Sequence, residues 1–480
     1  MAKTDNSWKS LLSGSNGIKA ISLAGGVGLH AVNVFLATTI LPSVVRDIGG
    51  FAFFSWNTTL FVVASIVGSV LSARWLSLRG PRRAYQLSIA LFAVGTLCCT
   101  LAPTMTVMLV GRSIQGFGGG LLFALSYSMI RLVFAEPLWS RAMALLSGMW
   151  GIAALSGPFI GGVFAGLGAW RLSFGSVLLI SVVLFITITT VLPSGRTSTG
   201  ATLPTPVFKL FLLTAASIAV SLGSITEDLR VAVAGLVVSV VLLLLLIRLE
   251  RRASQRLLPR GSYSVSSRLG ATYAAIAFLQ AATTVEIYIP YFLQELHGYS
   301  PLKAGYLTVM MAIGWTCFSI LFSGASRLRV IRIWHVGPVA MATGLLGLGF
   351  AIIHTDVHPS LALVLISLCL VLIGGGIGMG WPHLLARALS AAEAGEEDHA
   401  AASLTTIQLI ATAFGAAITG VVTSLAGIHE TENLANTKHA AWVLFVVFAA
   451  LPLLTLLIVR TYFLKEGERR DIDNKSDPSG

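Results

Sequence analysis

Residues 359-382 read PSLALVLISLCLVLIGGGIGMGWP, twenty-four positions without one acidic or basic side chain. About 20 such residues in a helix cross the roughly 30 Å hydrocarbon core of a bilayer. Only helices and closed barrels satisfy their backbone hydrogen bonds at that depth. A barrel strand needs only about 9–11 residues, so the run reads as a membrane helix. Working outward, comparable runs occupy 20-43, 53-76, 84-102, 105-130, 142-166, 172-193, 207-226, 231-248, 270-294, 304-325, 334-354, 402-427 and 439-462, making fourteen predicted spans.

Hydrophobic residues make up 55% of the 480-residue chain and charged residues 11%, which leaves no room for a sizeable water-soluble domain. The net charge of +12 would suggest nucleic acid in a soluble protein, but the positive side chains sit between apolar spans. With the N-terminus cytoplasmic, 26 Lys and Arg fall on the cytoplasmic side and five on the outer side (Arg46, Arg171, Arg230, Lys303 and Lys438), with Arg112 inside the membrane. That bias sets orientation, so a nucleic-acid partner is discarded and both termini are expected in the cytoplasm of a bacterial cell, with the spans in its inner membrane. Cys98, Cys99, Cys317 and Cys369 all lie in apolar runs without redox or metal-ligand spacing, and read as packing residues. No metal or cofactor is expected.

The spans divide as six, two and six. The expected organisation is a cytoplasmic tail over 1-19, a six-helix bundle over 20-193, a central loop and two-helix insertion over 194-269, a second six-helix bundle over 270-462, and a tail over 463-480. The halves echo each other: Arg79-Gly80-Pro81-Arg82-Arg83 and Arg327-Leu328-Arg329-Val330-Ile331-Arg332 each follow the second span of their half. Repeated bundles with a solute path near the midplane are the architecture of secondary transporters.

Polar residues within spans are the functional candidates, because they are costly there and need partners. Arg112 lies about two turns into span 4, in GRSIQGFGGG over 111-120. Snorkelling to the outer interface is its bland reading; the glycines read as close helix packing rather than a phosphate loop. Span 5 carries Gly148, Gly151, Gly157-Pro158-Phe159-Ile160-Gly161-Gly162 and Gly166, a pliable and tightly packing helix. Glu286 is the one carboxylate deep in a predicted span, a candidate for proton exchange or for holding a polar group of the solute. His30, Gln115 and Gln408 are further polar candidates. Phe35, Trp150, Tyr273, Tyr288 and Trp315 are mid-span aromatics that suit either a flat solute or ordinary packing. The acidic segment 390-399 reads as a solvated loop.

The run Arg112/Gln115/Gly116, the Gly-Pro-x-x-Gly-Gly run at 157-162, Trp170-Arg171 opening span 6, Leu41-Pro42 closing span 1, and Gly80 with Arg82-Arg83 resemble the major facilitator superfamily over essentially residues 20-462. The six-two-six layout is similar to its fourteen-span drug:proton antiporter branch, and the chain is also similar to bacterial major-facilitator riboflavin transporters. The resemblance implies an all-α major facilitator fold, with Arg112 in the span-4 motif role, Gly157, Pro158, Gly161 and Gly162 as the antiporter motif, and Gly80, Arg82 and Arg83 as the gating loop. Two departures stand out: Asn33 occupies the place of a span-1 aspartate, and Ser77 that of the gating-loop aspartate.

The expected function is secondary transport of a small, planar organic solute by alternating access, with no enzyme activity. No nucleophile-base pair supports an enzyme, and no soluble signalling domain supports a sensor. Uptake of a riboflavin-like vitamin is the first expectation, because the first bundle lacks an interior carboxylate for cations. Proton-coupled multidrug efflux is the alternative. Expected partners are the solute, protons as a coupling ion, and membrane lipid; the expected state is a monomer.

Overall fold

The computed structural model describes residues 7-192, 207-226, 228-253, 256-391, 397-428 and 433-463. Among these, the regular structure is helical throughout. In chain order the helices are α1 (Trp8–Leu12), α2 (Gly14–Ile48), α3 (Trp56–Thr100), α4 (Met105–Val133), α5 (Trp139–Gly166), α6 (Trp170–Val191), α7 (Val207–Leu222), α8 (Leu229–Arg252), α9 (Arg268–Thr283), α10 (Ile289–His297), α11 (Pro301–Phe322), α12 (Arg327–Ile353), α13 (Pro359–Ser390), α14 (Glu397–Leu425) and α15 (Leu434–Ile458).

Twelve helical stretches are long and apolar enough to cross a membrane. One of them, Phe51–Thr100, holds two expected spans. Gly80 at φ 72° breaks the helical path there, a left-handed conformation that glycine adopts at no steric cost, and Pro81 follows inside the next helix. The sixteen-residue α7 is the remaining expected span; at about 1.5 Å per residue it reaches about 24 Å. The fourteen apolar runs of the sequence are thus all helical.

Several boundaries differ from the sequence reading. The N-terminal tail becomes helical at Trp8, where the Ser7 side chain accepts the Ser10 N–H at 3.1 Å, and α2 begins at Gly14 rather than near residue 20. Of the acidic segment, 392-396 lie outside the described residues, whereas Glu397, Asp398 and His399 form the first turn of α14 instead of a loop. The run over 270-294 is interrupted: a 3-10 turn over Thr284–Ile287 separates α9 from α10. Pro290 has no N–H to offer the carbonyl four residues back, at Glu286, and stands in the first turn of α10, where that bond is not required.

The described residues condense into two compact units. The first contains α1 to α6 and residues 298-309, including the opening turns of α11; the second contains α7 from Phe211, α8 to α10, the rest of α11, and α12 to α15. Large apolar side chains point outward along the helices, Leu179 at 66% exposure and Leu244 at 60% among them. Such surfaces call for a hydrocarbon surrounding rather than water.

In the first unit α4 is the spine. A Cβ at Gly118 would stand 2.9 Å from Phe92 Cα, and one at Gly120 2.6 Å from Ser65 Cα, so bare glycine lets α3 and α4 touch backbone to backbone. In the second unit the central hairpin closes by the same means, Gly223 lying against the Ala232 Cα. It is tied to α14 by Ser424 Oγ donating to the Thr226 carbonyl at 3.1 Å.

Candidate functional site

Arg112 is 1% exposed, so it does not snorkel. Its neighbours come from two helices. On α4, Nη1 donates to Gln115 Oε1 at 2.6 Å, one turn further on. On α3, Nε donates to the Asn57 carbonyl at 3.2 Å, and the guanidinium lies over the Phe61 ring, 4.2 Å from its centroid. Gln115 passes the network on, with Nε2 donating to Thr96 Oγ1 at 2.8 Å. No carboxylate faces Arg112 among its hydrogen-bond partners; an amide oxygen, a backbone carbonyl and an aromatic face hold the charge instead.

Phe61 also borders His30, whose ring centroid stacks on it at 5.2 Å. Phe123 at 5.5 Å and Trp150 at 6.1 Å complete an aromatic enclosure around the imidazole, and Phe35 adds an edge contact to Trp150. One turn along α2, Asn33 is fully buried, and neither its amide oxygen nor its amide nitrogen has a partner among the described residues. A buried amide without partners carries an uncompensated cost of about 1–3 kcal/mol. The first unit therefore brings Arg112 and His30 onto one ring, with Gln115 beyond Arg112, the expected aromatics Trp150 and Phe35 beyond His30, and Asn33 on the same helix as His30. Sequence reasoning missed Phe61, Asn57 and Phe123. Asn57, an amide opening span 2 one turn before Phe61, is the signal that pointed there.

The antiporter-motif residues lie on an unbroken α5. A Cβ at Gly157 would meet Phe35 Cβ at 2.7 Å, so this glycine lets α5 close on α2. A Cβ at Gly162 would stand 2.5 Å from Leu302 Cα, at the start of α11, and Pro158 touches the neighbouring Gly305 position. At the other membrane face, Arg82 Nε donates to the Leu192 carbonyl at the end of α6 at 2.7 Å, whereas Arg83 is exposed. Ser77 bonds its own helix, to the Arg74 carbonyl. Where α2 ends, Asp47 accepts from Arg171 Nη1 at 2.5 Å and from Trp170 Nε1 at 3.0 Å, and Arg171 and then Trp170 hold its carboxyl below the usual carboxylate range.

In the second unit Glu286 sits on the 3-10 turn, half-buried, and no hydrogen bond reaches its carboxylate among the described residues. Tyr288 is buried and stacks on Phe292 at 6.0 Å. Trp315 meets Trp381 edge-on at 5.0 Å. Gln408 is half-buried on α14, and its neighbour Thr412 accepts from Gln280 Nε2 at 3.3 Å. Tyr273 bonds Ser403, a packing contact rather than an open aromatic wall. Gln294, which sequence reasoning passed over, is 6% exposed with neither amide atom paired among the described residues. No group of three metal-ligating side chains occurs among the described residues.

Apolar helices around buried, hydrogen-bonded polar clusters define a polytopic membrane carrier. The model of the Major Facilitator Superfamily matches residues 23-416, and the chain belongs to that superfamily. It is a transporter, in keeping with the drug:proton antiporter resemblance of its motifs. The protein named "Probable multidrug-efflux transporter Rv1634" of Mycobacterium tuberculosis (strain ATCC 25618 / H37Rv) is 38% identical over 458 residues, covering 94% of this chain and 95% of the relative. Multidrug resistance protein 3 of Bacillus subtilis (strain 168) is 23% identical over 383 residues, covering 77% of this chain and 72% of that protein. The solved structure of an auto-inhibited POT family peptide transporter superposes with a TM-score of 0.66 at 17% identity, covering 92% of this chain and 97% of that one. A D-xylose-proton symporter gives 0.63 at 15%, with 92% and 97% covered. These two likenesses speak for the fold alone. The drug-efflux relatives favour the efflux alternative over riboflavin uptake.

Proposed function

We propose that this chain exports flat, lipophilic drugs from a bacterial cell in exchange for protons, its termini facing the cytoplasm. The observation that carries the reading is the 38% identity over 94% of the chain to a relative named for multidrug efflux. The aromatic enclosure of Phe61, Phe123 and Trp150 beside Phe35 supports it, since stacked rings bind many flat solutes without demanding one pattern of polar groups. The lack of an interior carboxylate in the first bundle weighs against cations, yet an aromatic face attracts a cation without one, so that argument loses its force.

Glu286 is the proposed proton carrier. It is an acidic side chain in a membrane span, on a local break of the helix and without a hydrogen-bond partner among the described residues, where exchange of a proton or of a solute contact does not require an existing bond to be broken. Arg112 is the proposed fixed charge of the first unit, with Gln115 and the Asn57 carbonyl holding it in place. His30 and Asn33 are the proposed solute-facing polar groups, Tyr288, Trp315 and Gln408 their counterparts in the second unit. Gly157, Pro158, Gly161 and Gly162 are proposed to set the packing that alternates during transport, with Gly80, Arg82 and Arg83 at the inner gate. The chain is proposed to act as a monomer.

The test is ethidium extrusion from preloaded cells expressing the chain, with and without a proton uncoupler, run beside riboflavin accumulation in a riboflavin auxotroph. Uncoupler-sensitive extrusion above an empty-vector control is expected. Saturable riboflavin uptake without extrusion, from correctly inserted protein, would replace efflux by vitamin import.

A further inference from the structure

The basic stretch that follows the central hairpin does more than set orientation. Where α8 ends, Glu250, Arg251, Arg256, Pro259, Arg260 and Tyr263 are among the residues lining a cavity of about 340 Å³, within the range of about 300–1,000 Å³ usual for small-molecule sites. Its walls are held rather than draped. Glu250 is fully buried and accepts from the Leu257 N–H at 2.8 Å and from the Tyr263 hydroxyl at 3.0 Å, which holds Leu257 and Tyr263 against the end of the helix. Burial, and then the Glu250 carboxylate, push the Tyr263 phenol above its ordinary value, so it stays a proton donor to that carboxylate. Three arginines and one carboxylate thus line the cavity.

Each guanidinium has five N–H donors. Arg251 gives one to the Tyr263 carbonyl at 3.3 Å, and Arg256 gives Nε to the Ala253 carbonyl at 3.2 Å, which fixes both side chains while leaving further donors for a ligand. A second observation comes from α8 itself. Val237, Val241 and Leu244, at 55%, 57% and 60% exposure, follow one another at helical spacing. The next positions on the same face are Arg248 and Arg251, both exposed. An apolar, outward-facing stripe thus leads to the mouth of a cationic cavity. That is the pattern a phospholipid presents in complement, with chains along the stripe and phosphate at the arginines.

We infer that the cavity at the end of α8 binds the phosphate headgroup of an anionic phospholipid, so that the two-helix insertion serves as a lipid-reading element of the transporter. The test is native mass spectrometry of the purified full chain titrated with phosphatidylglycerol and with phosphatidylcholine of the same acyl chains. The wild type retains one phosphatidylglycerol in preference, and R251Q/R256Q lowers its affinity about tenfold, the loss expected for one charge-assisted hydrogen bond. R329Q/R332Q, which removes two arginines beside a separate cavity on α12, leaves the preference intact. R256Q alone serves if the double variant does not insert. Three results overturn the inference: retained preference in the α8 variants, equal loss in both arginine pairs, which would mean diffuse attraction only, or displacement of the lipid by millimolar inorganic phosphate, which would mean a site for free phosphate.

Discussion

Replacing Gln115 by Leu tests whether the Arg112 network is a held charge or incidental packing. Leucine keeps most of the volume but deletes the Oε1 acceptor at 2.6 Å from Nη1, in a side chain 1% exposed. A hydrogen bond to a charged group contributes about 1.5–3 kcal/mol in a soluble protein. In a bilayer the unfolded reference also finds partners, and measured pairs average about 0.6 with a maximum near 1.7 kcal/mol. The charged character places this pair toward the top, at about 1–2 kcal/mol. At roughly 2–4 °C per kcal/mol for a unit of this size, Q115L should lower the thermal midpoint by about 2–8 °C, read by fluorescence-detected size exclusion in detergent. Thr96→Val removes the neutral bond from Gln115 at 2.8 Å together with the bond that Thr96 Oγ1 donates to the Phe92 carbonyl at 2.7 Å, and leaves the charged bond intact. The double variant should cost less than the sum of the singles, because both remove the same Gln115–Thr96 bond. A Q115L midpoint within about 1 °C of the wild type, or a double variant equal to the sum of the singles, would refute the network.

Further outcomes are expected elsewhere. E286Q should insert normally yet lose the response of dye extrusion to pH between about 5.5 and 8; full pH-dependent transport would remove Glu286 from coupling. G162A should destabilise the first unit by about 1–3 kcal/mol, since its Cβ meets the Leu302 Cα at 2.5 Å, whereas G166A, with nothing within 4 Å, should be silent in the same melting assay. D47N should cost a little stability that depends on pH. Because the Asp47 carboxyl is held low by Arg171 and Trp170, its contribution is present above the unfolded carboxyl value of about 3.9 and fades as pH falls through the folded value. The wild-type and D47N melting curves should therefore converge in acid and draw together in high salt, as both partners are nearly half-exposed.

The helices were legible because bilayer thickness imposes a length that polar interruptions mark out. The break at Gly80 was legible from Gly80-Pro81 between basic residues, and the interrupted α9-α10 from Pro290, although the run was read as a single span. Arg112 declared a need for partners without naming them. Asn57 and Phe61 lie some fifty residues earlier, and which helix faces which follows from tertiary packing that one-dimensional periodicity does not encode. Gln294 stayed hidden because a glutamine near the end of an apolar run reads equally well as an interfacial residue. The opening turns of α11, compact with the first unit, carry no local mark of that association in their sequence.

The glycines of the first unit have a mechanical consequence. On α4 they are filled: Gly118 and Gly120 abut the α3 backbone, and Ser65 Oγ donates across to the Gly116 carbonyl at 3.0 Å. On α5, Gly148, Gly151 and Gly166 have nothing within 4 Å. Helix α4 is thus locked against α3, whereas α5 is tight at Gly157, Gly161 and Gly162 and open at the three glycines on either side of them. Arg112 rides on the locked pair, like an instrument bolted to a chassis, while Trp150 reaches the same cluster from α5. Room for added bulk lies beside the ends of α5, while the charge on α4 stands where the helices already touch.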